Sequence, residues 1–131
     1  MSGEGIYTSK FGEIRNGSWE EGKLNGIAEY KDNDGVIMKG NWVNDKMEGG
    51  GSWITDEFTY NGEFLASKEH GRGRKIWGDG SSYEGQWAHG MMHGKGEYRW
   101  PTGEMYRGDF FDNRIEGRGR KTYLDGSVYE G

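Results

Sequence analysis

The sequence predicts an all-β protein built from tandem β-hairpins, and two features of its composition and one of its pattern support this. Glycine supplies 26 of the 131 residues and proline only one. Aromatic residues are also abundant, with six Trp, eight Tyr and five Phe, whereas disordered chains are poor in aromatic residues. A motif of glycines and rings returns about every 23 residues, and such a period indicates a repeat architecture.

The repeat is clearest from Tyr83, where Tyr83, Gly85 and Trp87 open a unit and the next unit opens at Tyr106. Both ends of the chain match parts of the same motif, so we expect a fragment of a longer array. The predicted units are a partial unit 1–14, five units at 15–37, 38–59, 60–82, 83–105 and 106–128, and the start of another at 129–131.

Each unit is predicted to form one hairpin. In unit 83–105 the first strand is expected to run from Tyr83 to about Ala88 and the second from Lys95 to Trp100, with glycine-containing turns at the strand ends. One equivalent position between the strands is expected to lie in the turn and to fold back against the rings of its own unit. Its occupants are Leu24, Met47, Met92 and Ile115.

Alternation assigns the side chains of each hairpin to two faces. Tyr83, Gly85 and Trp87 are expected on the same face as Tyr98 and Trp100, and we call this side the aromatic face. Charged residues occupy the opposite, polar face. Glycine weakens a strand, but on the aromatic face it leaves open backbone over which a ring can lie. We therefore expect glycines and rings to be paired.

Composition excludes several classes of function. The net charge is −5, which does not suit a nucleic-acid binder, and 31% hydrophobic residues make a thick core improbable. Without cysteine there is neither a disulfide nor a thiolate metal site. No stretch approaches the ~20 apolar residues of a membrane-spanning helix, so a cytoplasmic protein is expected.

Catalysis is not predicted. General acid and base groups need a desolvated cleft, and charges on an open face do not provide one. His70, His89 and His93 are expected at turns with structural roles, so no metal site is predicted. The Gly-x-Gly motifs belong to strands instead of opening a helix, which argues against a phosphate loop. We expect no cofactor and no enzyme activity.

The recurring pattern Tyr-x-Gly-x-Trp, a turn Gly, Gly-x-Gly and a closing Gly resembles the MORN (membrane occupation and recognition nexus) repeat. The resemblance covers essentially the whole chain and recurs in phase five times. It implies an elongated, twisted, open single-layer antiparallel sheet that binds proteins and, in some members, lipids, with cytoskeletal or ciliary locations among its occurrences. This sequence departs from the pattern at Arg15, Ala28, Met38, Asp45, Ser67, Lys75, Asn113 and Lys121.

The aromatic face is the leading candidate for a binding site, because a single layer leaves it uncovered and a large apolar patch usually marks an interaction surface. The expected ligand is an amphipathic helix of a partner protein, and self-association is the alternative. The candidate partner-binding residues are Tyr60, Phe64, Trp77, Tyr83, Trp87, Tyr98, Trp100, Tyr106, Phe110 and Tyr123.

A basic stripe on the polar face is a second candidate, suited to anionic lipid headgroups. Its members are Arg72, Arg74, Lys95, Arg99, Arg118 and Arg120. The favoured alternative is that these cations pair with neighbouring carboxylates across strands. Lys75 and Lys121 differ, since alternation places them on the aromatic face, against a ring or against a partner's carboxylate.

These surfaces leave several functions open. The leading prediction is a non-catalytic protein-interaction scaffold. The alternatives are a peripheral membrane module and the targeting segment of a larger enzyme. A choline- or glycan-binding wall repeat is disfavoured, because such repeats are shorter and usually follow a secretion signal.

Overall fold

The computed structural model describes residues 3–10 and 12–131, which form one antiparallel sheet of twelve strands. Residues 1, 2 and 11 of the predicted partial unit lie outside this description. Every strand pairs with its neighbours in the chain, which confirms the all-β class and the open sheet of consecutive hairpins. The strands are β1 (Gly3–Thr8), β2 (Ile14–Glu20), β3 (Lys23–Lys31), β4 (Ile37–Val43), β5 (Lys46–Ile54), β6 (Phe58–Leu65), β7 (Lys68–Trp77), β8 (Ser82–Ala88), β9 (Met91–Arg99), β10 (Met105–Phe111), β11 (Arg114–Thr122) and β12 (Val128–Glu130).

The structure corrects the predicted start of the second strand in each unit. In unit 83–105 this strand begins at Met91, not at Lys95, because two residues are enough for the turn. His89 and Gly90 have φ of 52° and 81°, and positive φ at both positions is typical of a tight hairpin turn. The residues expected in turns (Leu24, Met47, Met92, Ile115) consequently lie in strands.

The second strand of each hairpin is longer than the first, and a bulge accommodates its extra residues. In unit 83–105, Gly85 pairs with Gly96 but Trp87 pairs with Met92, so extra residues of β9 lie between these pairs. Gln86 stabilises the bulge, because its Oε1 accepts a hydrogen bond from the backbone amide of Lys95 at 2.7 Å. The bulge keeps Met92, Gly96 and Tyr98 on the aromatic face.

The turns also connect successive units. The amide of Leu24 donates to Asp45 Oδ1 at 2.7 Å, and the amide of Asp45 donates back to the carbonyl oxygen of Leu24 at 3.0 Å. Asn113 makes the same pair of bonds with Met92, at 2.8 and 3.0 Å. Ser67 repeats it with Met47. Residues that depart from the turn glycine of the motif therefore join one repeat to the next.

A row of small residues crosses the sheet on the aromatic face. Register places one of them on each strand from β1 to β11. The row consists of Gly5, Gly17, Ala28, Gly40, Gly51, Gly62, Gly73, Gly85, Gly96, Gly108 and Gly119.

Tyrosine rings lie on this glycine row, as the sequence predicts. A Cβ added to Gly73 would overlap the ring of Tyr60, and one added to Gly96 would overlap that of Tyr83. The phenol of Tyr60 donates to the carbonyl oxygen of Glu63 at 2.7 Å, which fixes the ring in place. In unit 38–59, which lacks the tyrosine, the methyl group of Met47 reaches Gly40 and Gly51 instead.

The core forms within one layer because rings of successive units pack edge to face. Tyr60 has its ring centroid 5.0 Å from that of Phe64 and 5.5 Å from that of Trp87 in the next unit. Tyr83 likewise lies 4.9 Å from Phe110. Such T-shaped pairs bury area and add specific geometry. The core therefore runs along the array instead of gathering at one centre. Among the described residues, no helix is long and apolar enough to span a membrane.

Candidate binding face

Most of the predicted partner-binding residues belong to the core. Tyr60 and Tyr83 are fully buried, and the others of this group are at most 6% exposed. These side chains are unavailable to a partner without local rearrangement, and they act by supporting the sheet. The buried candidates are Tyr60, Phe64, Tyr83, Trp87, Tyr106 and Phe110.

The other four candidates, Trp77, Tyr98, Trp100 and Tyr123, remain accessible. Trp77, Tyr98 and Trp100 are half-buried and pack against the core, whereas Tyr123 is exposed. The ring centroids of Trp77 and Tyr98 are 6.0 Å apart, and those of Tyr98 and Trp100 are 4.9 Å apart. We call Trp77, Tyr98 and Trp100 the accessible rings. They form a continuous aromatic surface across two units.

Local structure holds the accessible rings in position. Trp77 ends β7 and Tyr98 lies near the end of β9, directly opposite Tyr83. Trp100 opens the turn that follows β9, where its carbonyl oxygen accepts the amide of Gly103 at 3.0 Å. Beside them is a surface cavity of about 470 Å³, lined by Met92, Tyr98, Trp100, Phe110, Asn113, Arg114 and Ile115. Most of the residues that line this cavity are apolar or aromatic.

A buried ion pair on the aromatic face was not predicted from the sequence. Glu69 is 4% exposed, and its Oε2 lies 2.9 Å from Lys75 Nζ. Lys75 Nζ also lies 3.9 Å from the ring centroid of Phe58. Glu69 pairs with Phe64 as Leu24 pairs with Trp19, so it holds the position that is apolar in the other units. That alignment was the signal in the sequence, and it was overlooked because glutamate is rarely buried.

Lys121 occupies the same repeat position as Lys75 but has different neighbours. Its Nζ lies 4.6 Å from the ring centroid of Trp100 and 4.9 Å from that of Tyr123. Ile115 stands where unit 60–82 has Glu69. Lys121 makes no ion pair within the described residues, unlike Lys75.

Three of the six basic residues of the stripe pair with carboxylates, which was the favoured alternative. Lys95, Arg99 and Arg120 pair with Asp109, Glu97 and Glu130, at 2.7, 2.9 and 3.6 Å respectively.

The other three basic residues of the stripe are Arg72, Arg74 and Arg118. None of them makes an ion pair in the described part of the chain. The carboxylate of Glu63 accepts the backbone amide of Arg72 instead, at 2.7 Å, and Asp109 does the same for Arg118, at 3.1 Å.

The histidines lie beside one another or beside a carboxylate. His89 lies in a turn as predicted, but His70 and His93 lie within β7 and β9. The rings of His70 and His89 are 5.6 Å apart, and His93 Nδ1 is 3.6 Å from Asp112 Oδ1. Among the described residues, no group of three or more His, Asp or Glu side chains is arranged to hold a metal ion.

Burial raises the pKa of the core tyrosines. It raises the pKa of Tyr83 to about 12, because a phenolate would lose its hydration inside the sheet. Burial also raises the pKa of Tyr60, and the nearby carboxylates of Glu69 and Glu63 act in the same direction. These phenols therefore remain neutral hydrogen-bond donors.

Comparison with protein families agrees with the repeat geometry. The model of the MORN repeat matches residues 16–37, 39–53, 60–82, 83–105 and 106–128. A comparison with curated proteins finds no significant match. The matched segments cover most of the chain and coincide with its hairpins. The chain therefore belongs to the MORN-repeat family.

Proposed function

We propose that this protein is a non-catalytic interaction scaffold that binds a segment of another protein on the accessible rings. The single observation that carries this proposal is the continuous surface of Trp77, Tyr98 and Trp100 beside the 470 Å³ cavity. Proteins of this family are often involved in binding or in membrane association. The aromatic surface favours binding of a protein.

The chemistry of the rings supports a protein ligand. Trp and Tyr are enriched among the residues that dominate binding energy, because they bury large areas with few rotatable bonds. The accessible rings are held against buried ones, so little side-chain entropy is lost when a partner binds. Trp100, for example, stacks edge to face on Tyr98, which packs against the core.

An amphipathic helix is the ligand that we propose for this surface. A helix presents apolar side chains three and four residues apart on one face, which suits a row of rings with an adjoining cavity. A second copy of this chain is the competing ligand. We propose a cytoplasmic location in a cytoskeletal or ciliary assembly on the resemblance alone.

A displayed library of helical peptides, selected on the immobilised chain, tests the proposal. For a selected peptide, Trp77→Ala with Trp100→Ala should weaken binding by ~30-fold or more, since a dominant ring contributes about 2 kcal/mol. Phe111→Ala is the control, because Phe111 is 47% exposed and lies next to Phe110 in β10, on the opposite face. If both variants bound the peptide equally well, the accessible rings would not be the binding site.

A second function, association with anionic membranes through the polar face, is favoured by Arg72, Arg74 and Arg118. These residues make no ion pair within the described chain, so their charge is available to headgroups. Flotation with phosphoinositide-containing vesicles should then recover the protein at physiological salt. Replacing the three arginines with Gln should reduce recovery, since each basic residue contributes ~1 kcal/mol near such a surface. Absence of flotation would leave only the protein scaffold.

A further inference from the structure

In two units a lysine occupies the strand position that is aromatic in the other units. Lys75 pairs in register with Tyr60, and Lys121 with Tyr106. The equivalent partner of Tyr83 is Tyr98, and that of Met38 is Trp53. Both lysines are half-buried and lie on the aromatic face. The face therefore carries two cations among its rings.

Among the residues that the structure describes, only one of these cations is neutralised. Lys75 has Glu69 at 2.9 Å, and the Glu69 carboxylate lies on the same strand six residues earlier. Lys121 has Ile115 at that place on its own strand. A half-buried ammonium that lacks an anion has lost part of its hydration without full compensation.

The rings around Lys121 compensate it only in part. A cation above a ring gains less than a cation that also contacts a carboxylate, as Lys75 does between Phe58 and Glu69. Lys121 has the rings of Trp100 and Tyr123, which correspond to this aromatic part of the arrangement. No carboxylate of the described residues pairs with Lys121 as Glu69 pairs with Lys75.

The surroundings of Lys121 give access to an anion from outside. Lys121 lines a cavity of about 340 Å³ with Tyr106, Ile115, Tyr123 and others, and Ile115 also lines the 470 Å³ cavity beside Trp100. Arg114, which makes no ion pair among the described residues, lines the larger cavity as well. No Asp or Glu side chain is among the described residues that line either cavity.

We propose that Lys121 is a specificity-determining residue that receives the carboxylate of an Asp or Glu side chain from the bound partner. The same partner segment places a large apolar side chain in the adjoining cavity at Trp100. This inference rests on the proposed function, because it names the chemistry of the ligand bound there. The segment would thus complete around Lys121 the arrangement that Glu69 completes around Lys75.

The test compares peptides selected from the displayed library on the whole chain. Selected sequences should share an Asp or Glu at a fixed spacing from a large apolar residue. Replacing that Glu with Gln in the peptide should weaken binding by about tenfold or more, as expected for loss of a charge-assisted hydrogen bond. Lys121→Met should weaken binding of the original peptide equally, and with this variant the Gln peptide should lose nothing further.

A second variant supplies the missing carboxylate from within. Ile115→Glu copies the position of Glu69, and Ile115 is 48% exposed, so the substitution does not enter the core. Because Ile115 also lines the cavity that receives the apolar side chain, the comparison is with Ile115→Gln, which has the same shape without the charge. Relative to Ile115→Gln, the Glu variant should abolish the preference for an acidic residue. Arg118→Gln removes a cation from the polar face and should not change peptide binding. Circular dichroism should show that each variant is folded.

The outcomes separate the two proposals. Peptides that bind the accessible rings but have no acidic preference would overturn the role of Lys121 and leave the scaffold function standing. Failure to select any peptide sensitive to Trp77→Ala with Trp100→Ala would overturn the scaffold function itself. Equal weakening by Arg118→Gln and Lys121→Met would also refute the inference, because it would show only a general effect of charge.

Discussion

The carboxylate of Asp45 accepts a hydrogen bond from the amide of Leu24 at 2.7 Å, across the boundary between two repeats. Asp45 also has a φ of 69°, a conformation that asparagine and aspartate tolerate better than most residues. The same side chain thus makes the turn possible and attaches it to the preceding hairpin. In a repeat protein, such contacts between neighbours are what make unfolding cooperative.

Asp45→Ala should therefore destabilise the protein by ~2–3 kcal/mol, from loss of the hydrogen bond and from strain at positive φ. Asp45→Asn should cost much less, since Asn113 makes the equivalent bond to Met92. Urea unfolding followed by circular dichroism measures both. Similar losses for Ala and Asn would show that the negative charge matters, not the acceptor.

Gly73→Ala should be strongly destabilising, by ~3 kcal/mol or more, because its Cβ would overlap the ring of Tyr60 and force overpacking. Gly50→Ala is the matched control. Gly50 also lies in a strand, but a Cβ there would meet nothing within 4 Å. If thermal unfolding midpoints of the two variants were the same, the glycine row would have no role in seating the rings.

Breaking the Glu69–Lys75 pair should be costly, whereas replacing both residues should not be. Glu69→Gln leaves a half-buried lysine without its anion, a change that typically costs ~3–5 kcal/mol. Glu69→Met with Lys75→Tyr reproduces Met92 and Tyr98 of the next unit and should be close to neutral or stabilising. Denaturant unfolding of the single and double variants distinguishes these cases. A double variant as unstable as the single one would contradict the packing argument.

Alkaline pH should destabilise the protein through its buried tyrosines. The pKa of Tyr83 is about 12 in the sheet, against a value of 10.0 for an ordinary phenol. Below pH 10 the phenol is neutral in both states, so its stabilising contribution is complete. As pH rises from about 10 to 12, the unfolded chain ionises first, and up to roughly 3 kcal/mol of stability is lost.

The measurement is urea unfolding at several pH values, compared with Tyr83→Phe. This variant loses the hydrogen bond to the carbonyl oxygen of Gln86 and is less stable at neutral pH. It has no phenol at this position to ionise, so the stability difference between parent and variant should shrink above pH 10. A difference that stayed constant with pH would contradict the effect of burial on Tyr83.

Much of the fold follows from periodicities that the sequence displays. Alternation placed Gly62, Gly73 and Tyr60 on one face, and the register confirms that they meet there. The second strands began earlier than expected because a turn such as His89-Gly90 needs only two residues of positive φ. The bulge in each hairpin could not be predicted from the alternation of side chains, because Met92, Gly96 and Tyr98 keep the same alternation with the bulge as without it.

The binding face was less predictable. Ten rings qualified by pattern, yet Tyr60 and Trp87 are closed off because they contact each other at 5.5 Å across successive units. Trp77 and Trp100 pass the same pattern test and remain accessible. Glu69 was missed because glutamate is rarely buried, although its position is apolar in the other units. The ammonium group of Lys75, 2.9 Å away, compensates its charge.

The sequence by itself determined the hairpins, the two faces and the pairing of glycine with rings, because these depend on the period of two along a strand and on the 23-residue spacing of the motif. The tertiary structure alone decided which rings are covered and which lysine has its carboxylate. Which rings are covered depends on distances between side chains of different strands. The contact between Glu69 and Lys75 lies within β7 and depends on the bulge between these residues, which local alternation does not specify. Lys75 has the carboxylate of Glu69 beside it, whereas Lys121 has Ile115 at the equivalent position. The proposed recognition of an acidic partner rests on this difference.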